Sequence, residues 1–513
     1  MNRKLHIAYF LSVADNFVGG ADQTLLMQAY LMNSAMKATV VLPCDIYGRY
    51  NTAFQRKCEK MHLDYKILKY DAAYSIKCVN AVECIEDARG IEDFVINKKI
   101  DILHSAQINL AVEYVSRKYK VPHVMNIYSL DAWEWQIPCS ELFPRYVSCD
   151  SVFFLEKWKE YLKCDGKCIR VYGNAGIKND LCIHYKKIIV LGTAGTICAY
   201  KNQLEVIKAV ERELMRGKNI QLLLAGEIES VYGEECRDYI NSHHLQEYIK
   251  LLGFMEDMSF FYGQIDALVC GSRRESFPAS IVEAMSCNVP IISTPVAGVP
   301  EILYDRENAY VTEDYSSQSL AEAIEKFLED YTGGQLQTLL KKAEQTYEHN
   351  FSAQAVKEQL LDLYYEMLKN PVWRSGETSP YVDFERQIES LVYWVKKTGM
   401  AKEEAGQMYS RALYFWQIKD KIKAKECYIW GAGKWGRRTK IIYDCLMEEM
   451  HIRAFVDEKK EGDMYGIDVI KKEDMNLQGN VAVFIGFISG QDAAVDYLCK
   501  KGMEIMKNVF IIA

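Results

Sequence analysis

Two carboxylates, Glu275 and Glu283, stand eight residues apart in a chain of 513 residues. The residue types around them suit an anionic, hydroxyl-bearing ligand. Asp266-Ala-Leu-Val-Cys-Gly271 is a short apolar run that reads as a strand, and Ala279-Ser-Ile-Val-Glu-Ala-Met285 reads as the helix that follows it. Ser276 suits the N-cap of that helix and Pro278 its first turn, so the helix is expected to open near Ser276 to Pro278. Val289-Pro-Ile-Ile-Ser293 then resumes as a strand. A strand–loop–helix unit puts its loop at the carboxyl edge of a parallel sheet, where open α/β folds bind ligands. Free N–H groups at the helix start suit a phosphate or a sugar hydroxyl. An ionised carboxylate accepts from two hydroxyls at once, so Glu283 suits a ribose diol. Two solvated glutamates on an ordinary α/β core are the plain alternative.

The pair is embedded in an ordered set of segments. Leu251-Leu-Gly-Phe-Met255 leads into Tyr262-Gly-Gln-Ile-Asp266, and Pro295-Val-Ala-Gly-Val-Pro-Glu301 follows the second glutamate. Upstream lies the glycine-rich stretch Gly192-Thr-Ala-Gly-Thr-Ile-Cys-Ala-Tyr-Lys201-Asn. Together these resemble the retaining, nucleotide-sugar-dependent glycosyltransferases of the GT-B fold marked by E-x7-E, the glycosyl transferases group 1. The resemblance is specific over roughly residues 186–305 and extends in outline over 1–370. It implies two Rossmann-like domains facing across a cleft and a nucleoside-diphosphate sugar donor, UDP- or GDP-linked, with no metal and no further cofactor required. The acceptor would be a glycan, a lipid-linked sugar or a protein, in bacterial surface polysaccharide or glycoconjugate assembly.

By that resemblance the donor lies mainly on the second domain, with Lys201 and Glu275 as catalytic residues. Lys201 would meet the diphosphate, where a cation stabilises charge on the departing group. Glu283 would hold the ribose. Glu275, with the Ser276 and Phe277 amides, would contact the transferred sugar or its phosphate end, and the backbone at Phe254 and Met255 would face the nucleobase. Gly19 and Gly20, after the first strand, match the first-domain glycine loop, where glycines let the backbone approach a phosphate. Two departures from the family pattern stand out. Thr196 occupies the place where members commonly carry an arginine, and Tyr128 the place of a histidine near the reacting sugar. Tyrosine donates a hydrogen bond but is a poor base at neutral pH. His104 and His123 read as strand residues and not as replacements. Trp133 and Trp135 could line an acceptor groove, with a buried loop anchor as the alternative. A catalytically silent glycosyltransferase-like subunit that binds a partner or acceptor is the competing class, supported by Thr196 and Tyr128. A glycosidase would need two carboxyls facing each other across the scissile bond, a pairing that donor binding explains without hydrolysis.

The elements that position these residues follow from the apolar pattern. Strands are expected at 5–11, 38–42, 65–68, 100–104, 123–128 and 151–155, alternating with helical stretches, and again at 187–192, 220–225, 249–252, 267–270, 290–293 and 309–311. Such alternation implies α/β domains with parallel sheets. The expected domains are 1–185 on the acceptor side and 186–369 on the donor side, with an amphipathic closing helix at 351–369. Residues 370–425 read as a linker and a helical segment. From 426 to 513 a third, smaller Rossmann-like domain is expected. There Cys427-Tyr-Ile-Trp reads as a strand entering the turn Gly431-Ala-Gly433-Lys-Trp-Gly436, and Asp457 closes the next strand, 21 residues beyond the third glycine. That is the context in which G-x-G-x-x-G supports a nucleotide or dinucleotide site; a tight turn without ligand is the alternative.

Composition bounds the rest. Hydrophobic residues make up 49% of the chain and charged ones 26%, as in globular proteins. The formal charge of −8 argues against a nucleic-acid partner. Sixteen cysteines lie scattered, without the Cys/His spacing of a zinc site, and read as reduced thiols of a cytoplasmic protein. The sequence contains no apolar run long enough to span a membrane, and the apolar start reads as a first strand rather than a signal peptide. Residues 49–77 carry seven Lys/Arg against three Asp/Glu, interleaved with Tyr50, Phe54, Tyr65, Tyr70 and Tyr74. This stretch suits peripheral contact with an anionic inner membrane face or a lipid-linked acceptor; a solvated helix face is the alternative.

Overall fold

The computed structural model describes residues 3–14, 19–45, 47–70, 81–107, 109–128, 146–162, 164–177, 188–255, 257–370, 418, 421–422, 425–446, 452–487, 490–505 and 507–511. Trp133, Trp135, Tyr74 and most of the 370–425 segment lie outside the described residues. The chain divides into two compact units, one formed by 1–146 with 367–513 and the other by 147–366.

The first unit opens with β1 (His6–Phe10), α1 (Gly20–Met32), β2 (Lys37–Cys44), α2 (Thr52–Lys60), β3 (Asp64–Lys69), α3 (Ala81–Lys98), β4 (Ile102–Ala106), α4 (Leu110–Tyr119) and β5 (His123–Asn126). These strands are parallel in the order β3-β2-β1-β4-β5. Every residue of β1 and β4 is buried, as expected where helices cover both faces of a parallel sheet. Asn51 and Asn109 cap α2 and α4, their side-chain oxygens accepting from the first backbone N–H groups. The aromatic residues of the 49–77 stretch do not form one exposed surface. Phe54 and Tyr70 are buried, and the Tyr70 hydroxyl lies 2.6 Å from the Leu11 carbonyl. Their rings complete the core beside β1 and β2, so that two of the four described aromatic residues of the stretch are packing.

The second unit holds β6 (Tyr146–Cys149, whose first residue belongs to the other unit), α5 (Val152–Leu162), β7 (Asp165–Cys168), β8 (Ile189–Ala194), α6 (Gln203–Met215), β9 (Ile220–Ala225), α7 (Val231–Ser242), β10 (Ile249–Gly253), α8 (Met258–Tyr262), β11 (Ala267–Cys270), α9 (Ala279–Ser286), β12 (Ile291–Ser293), β13 (Tyr310–Val311), α10 (Ser317–Gly333), α11 (Leu336–Asn350) and α12 (Ala353–Lys369, whose last three residues belong to the other unit). Its six-stranded parallel sheet runs β10-β9-β8-β11-β12-β13. One apolar layer, with Val206, Ile207, Ile324 and Phe327, covers one face; another, with Phe261, Tyr262, Ile281 and Val282, covers the other.

Two sequence expectations fail here. Residues 151–155 are not a strand, because α5 begins at Val152. The short apolar run Val-Phe-Phe-Leu cannot by itself separate strand from helix. The helix buries Phe154 and Trp158, four residues apart on one face, and Ser151 Oγ caps its start by accepting from the Phe154 N–H at 3.2 Å. Nor does Ser276 cap α9. That helix starts at Ala279 behind Pro278 with no side-chain cap, and Ser276 turns to another partner.

The third sheet, again in the first unit, contains β14 (Glu426–Trp430), α13 (Lys434–Leu446), β15 (Ile452–Val456), β16 (Gly462–Met464), β17 (Ile467–Ile470), β18 (Val481–Ile485), α14 (Gln491–Lys500) and β19 (Val509–Ile511). Its order is β16-β17-β15-β14-β18-β19, parallel except for the β16–β17 hairpin. That hairpin turns through Tyr465 and Gly466, both with positive φ, as a two-residue loop requires. Three Rossmann-like α/β sheets are therefore present, as the alternating pattern implies.

Candidate functional site

The site residues of the second unit gather where β8, β9, β10 and β11 end. Gly195 follows β8 with φ +126°, a conformation side chains rarely adopt. Its N–H donates to the Ala225 carbonyl at 2.9 Å, and the Gly226 N–H donates to the Gly253 carbonyl at 2.8 Å. The strand ends approach so closely that a Cβ on Gly226 would lie 1.9 Å from the Gly195 carbonyl oxygen. Bare backbone therefore forms the floor of the site.

Lys201 sits on the turn before α6. Asn202 takes a left-handed φ of +61°, which asparagine tolerates better than most side chains. Its Nδ2 donates to the Gly271 and Tyr315 carbonyls, each at 3.0 Å, while the Arg273 N–H donates to the Tyr200 carbonyl at 2.7 Å. These bonds stitch the lysine turn to the loop after β11. The Lys201 ammonium consequently forms an ion pair with Glu275, and Ser272 Oγ lies 3.4 Å from the same carboxylate oxygen. The lysine stem passes over Gly195, within ordinary contact distance of where a Cβ would stand. Burial disfavours the Lys201 charge, but the Glu275 carboxylate outweighs it and the pKa rises.

Glu283 lies on α9. The Tyr262 hydroxyl, from α8, stands 2.8 Å from its Oε2. Burial raises the Glu283 pKa, against the Tyr262 hydrogen bond and the Lys201 charge, which both lower it. The tyrosine is itself buried and held well above its usual pKa, so it stays a donor. One carboxylate oxygen is thereby engaged within the protein. The chain after β10 leaves Phe254 78% exposed, while Met255 packs on the core. Ser276 and Phe277 are buried, the latter with its ring centroid 5.1 Å from that of Phe351. Gly195 and Thr196 lead from β8 into the lysine turn, and the Thr196 carbonyl accepts from Gln203 Nε2 at 2.9 Å.

Sequence reasoning named Lys201, Glu275 and Glu283 and missed their supports. Tyr262 was visible only as part of a motif, and Asp150, the partner of Ser276, carried no local signal.

In the other unit, Gly19 precedes α1 in an extended conformation and Gly20 begins it, with nothing within 4 Å of a Cβ built there. Asp22, in the first turn, accepts from the Ser12 and Val13 N–H groups at 2.7 and 3.0 Å and so ties the end of β1 to α1. Tyr128 is half-buried, its hydroxyl accepting from Asn126 Nδ2, whose Oδ1 faces His104 Nε2 at 2.7 Å. His104 is fully buried, which pushes its pKa down to about 3. His123 bonds Glu113 at 2.7 Å. Both histidines lie in strands.

In the third sheet, Gly431 has φ +113°, and a Cβ on Gly436 would lie 1.8 Å from the Gly431 carbonyl oxygen. Both glycines are thus required by the strand–helix approach itself. Gly433 has nothing within 4 Å of a Cβ. The Asp457 carboxylate accepts from the Ala432, Lys459 and Lys460 N–H groups at 2.9, 2.9 and 3.1 Å, and Lys460 Nζ donates to the Ala432 carbonyl at 2.7 Å. Burial would raise the Asp457 pKa, but these N–H groups hold it below the usual value. The acid that would greet a ribose is already bonded to its own turn.

Among the described residues no helix is long and apolar enough to cross a membrane. The family model of the Glycosyl transferases group 1 matches residues 183–348. A capsular polysaccharide biosynthesis glycosyltransferase of Staphylococcus aureus is 27% identical over 180 residues, 35% of this chain and 47% of that protein. The spore coat protein SA of Bacillus subtilis is 24% identical over 198 residues, 37% of this chain and 51% of that one. The chain thus spans about half of these curated relatives. Among solved structures, a glycosyltransferase from Rickettsia africae superposes with a TM-score of 0.60 at 16% identity, covering 72% of this chain and all of that one. Anabaena HepE, solved with UDP and also with UDP-glucose, gives 0.58 for the UDP complex at 17% identity, covering 71% of this chain and all of that one. Residues 183–348 are a Glycosyl transferases group 1 domain, in a chain that has the fold of the GT-B glycosyltransferases.

Proposed function

We propose that this protein is a retaining, metal-independent glycosyltransferase that moves a sugar from a nucleoside-diphosphate donor to a glycan, lipid-linked or protein acceptor in polysaccharide or glycoconjugate assembly. The observation that carries the reading is the Lys201–Glu275 pair beside the bare Gly195 backbone at the carboxyl edge of a parallel sheet. A diphosphate needs close backbone approach and a cation, and this corner offers both. Lys201 would meet the diphosphate, Glu283 would accept from a ribose hydroxyl with its less engaged oxygen, and Glu275 would turn to the sugar end. The UDP complexes of Anabaena HepE support a uridine donor. Residues 1–185 would then serve the acceptor side, 186–369 the donor side, and 426–513 a separate unit joined through 370–425. The self-bonded Asp457 supports a structural role for the Gly431–Gly436 turn over nucleotide binding.

A silent, partner-binding subunit is the second reading, favoured by Thr196 in place of a second cation. A thermal-shift screen over UDP- and GDP-sugars, followed by assay of donor hydrolysis and transfer, separates the two. A shift with turnover supports the enzyme, and a shift without turnover supports the silent subunit. The absence of any shift removes the donor reading.

A further inference from the structure

The loop that carries Glu275 is held from behind by a cluster after β6, far away in sequence. Ser276 Oγ donates to Asp150 Oδ1 in a close contact, and Ser151 Oγ lies 2.9 Å from the same hydroxyl. The Ser276 carbonyl accepts from the Gly298 N–H at 3.0 Å. At Gly298 a Cβ would stand 2.5 Å from Ser151 Cβ and 2.8 Å from the Ser276 carbonyl, so only glycine fits between them. Arg170 closes the rear, donating to the Asp150 carbonyl and to Glu301 Oε2, each at 2.9 Å. Glu301 in turn accepts from the Val152 and Phe153 N–H groups at the start of α5, at 3.0 and 2.7 Å. Asp150, Ser151 and Ser276 are all buried, at 4%, 0% and 3% exposure. A buried hydrogen-bonded cluster of this kind has few alternative arrangements, because an unmade bond there costs the full desolvation of its atoms.

We propose that Asp150 is a positioning residue for the donor site: through Ser276 it sets where the Glu275–Phe277 segment lies against Lys201. What the segment binds rests on the donor reading above, whereas the positioning rests on these contacts. The charged and titratable groups facing Asp150 are Arg170 and Glu275, with Glu301 and the Cys168 thiol beyond. Burial pushes the Asp150 pKa up to about 7, with Ser276 and Arg170 pulling against it and Glu275 adding to it. Either protonation state offers Ser276 an acceptor oxygen. Only the ionised one adds a negative charge beside Glu275, where an anionic donor would bind. Positioning should therefore survive Asp150→Asn, and the pH response should not.

The test uses UDP-glucose calorimetry on the full chain at about pH 6 and about pH 8, on either side of the Asp150 transition. Wild-type affinity should fall about 5-fold between them, as expected when donor binding raises the Asp150 pKa by about one unit. Asp150→Asn should bind as wild type at the lower pH and lose the fall. At the lower pH, where Asp150 is mostly neutral, Asp150→Ala and Ser276→Ala should each lose about 10-fold against wild type, the cost of a buried polar group left unpaired. A folded Asp150→Ala variant with wild-type affinity at the lower pH overturns the proposal, as does an Asn variant as weak there as the Ala one. If wild type binds no UDP-glucose, the donor reading is what fails, and hydrogen exchange decides the positioning. The Gly298 amide, bonded to the Ser276 carbonyl, should then exchange faster in Asp150→Ala and at the wild-type rate in Asp150→Asn. Unchanged exchange in the Ala variant sinks the idea.

Discussion

Glu283 accepts from the Tyr262 hydroxyl, so on the proposed reading its hold on a ribose would be coupled to a proton. Glu283→Ala should weaken nucleotide binding by roughly 1.5–3 kcal/mol, the range for hydrogen bonds to a charged group, as read by calorimetry; unchanged affinity in a folded variant removes the ribose assignment. Tyr262→Phe tests the coupling. The Tyr262 bond lowers a pKa that burial raises, so its loss should raise that pKa further. Nucleotide affinity should then begin to fall at a higher pH during acid titration than in wild type, and a profile that does not move would uncouple the pair. Lys201→Ala should reduce turnover on the order of 10²-fold or more, with a smaller effect on donor binding, because leaving-group charge peaks in the transition state. A rise in the Michaelis constant alone would make Lys201 a binding residue only.

Strand ends and helix starts carry the next set of consequences. Gly226→Ala would put its Cβ 1.9 Å from the Gly195 carbonyl oxygen and must force the two backbones apart. It should cost roughly 1–3 kcal/mol, as overpacking does, and lose nucleotide binding with it. Gly20→Ala meets open space and should leave thermal stability within about 0.5 kcal/mol, so any loss of transfer in it would report on the ligand and not on the fold. At the start of α1, burial pushes the Asp22 carboxyl up to about 6 from 3.8, against its bonds to Ser12 and Val13. The folded chain keeps this proton after the unfolded chain has released it. The associated stability is therefore complete below about pH 4, is lost as pH rises through about 6, and stays flat above. Asp22→Asn should flatten the melting-temperature profile between those limits, and an unaltered slope would assign it to other groups.

At the scale of the whole chain, the strands between Glu426 and Ile511 form their own sheet, parallel except for the β16–β17 hairpin, around a glycine turn. Gly431 and Gly436 answer to packing, while Gly433 faces open space. Gly433→Val in the full chain should therefore fold and leave donor turnover as in wild type. If it folds and transfer is lost, the third sheet belongs to the catalytic apparatus and the proposed separation is wrong.

What the sequence determined is local. The alternation of apolar strands and amphipathic helices specifies α/β sheets, since period and connection length are written in neighbouring residues. The glycine before Lys201 and the spacing of Glu275 and Glu283 mark a loop at a sheet edge. The short apolar run 151–155 read as a strand and folds as the start of α5, because a few apolar residues in a row cannot by themselves separate the two. Only the tertiary structure decided which partner each polar group takes. Asp150 meets Ser276 across 126 positions, and Tyr262 meets Glu283 across 21. The physical reason is that a buried donor or acceptor must be satisfied by whatever packing brings near it, and that neighbour is set by the stacking of strands and helices, not by the order of residues along the chain.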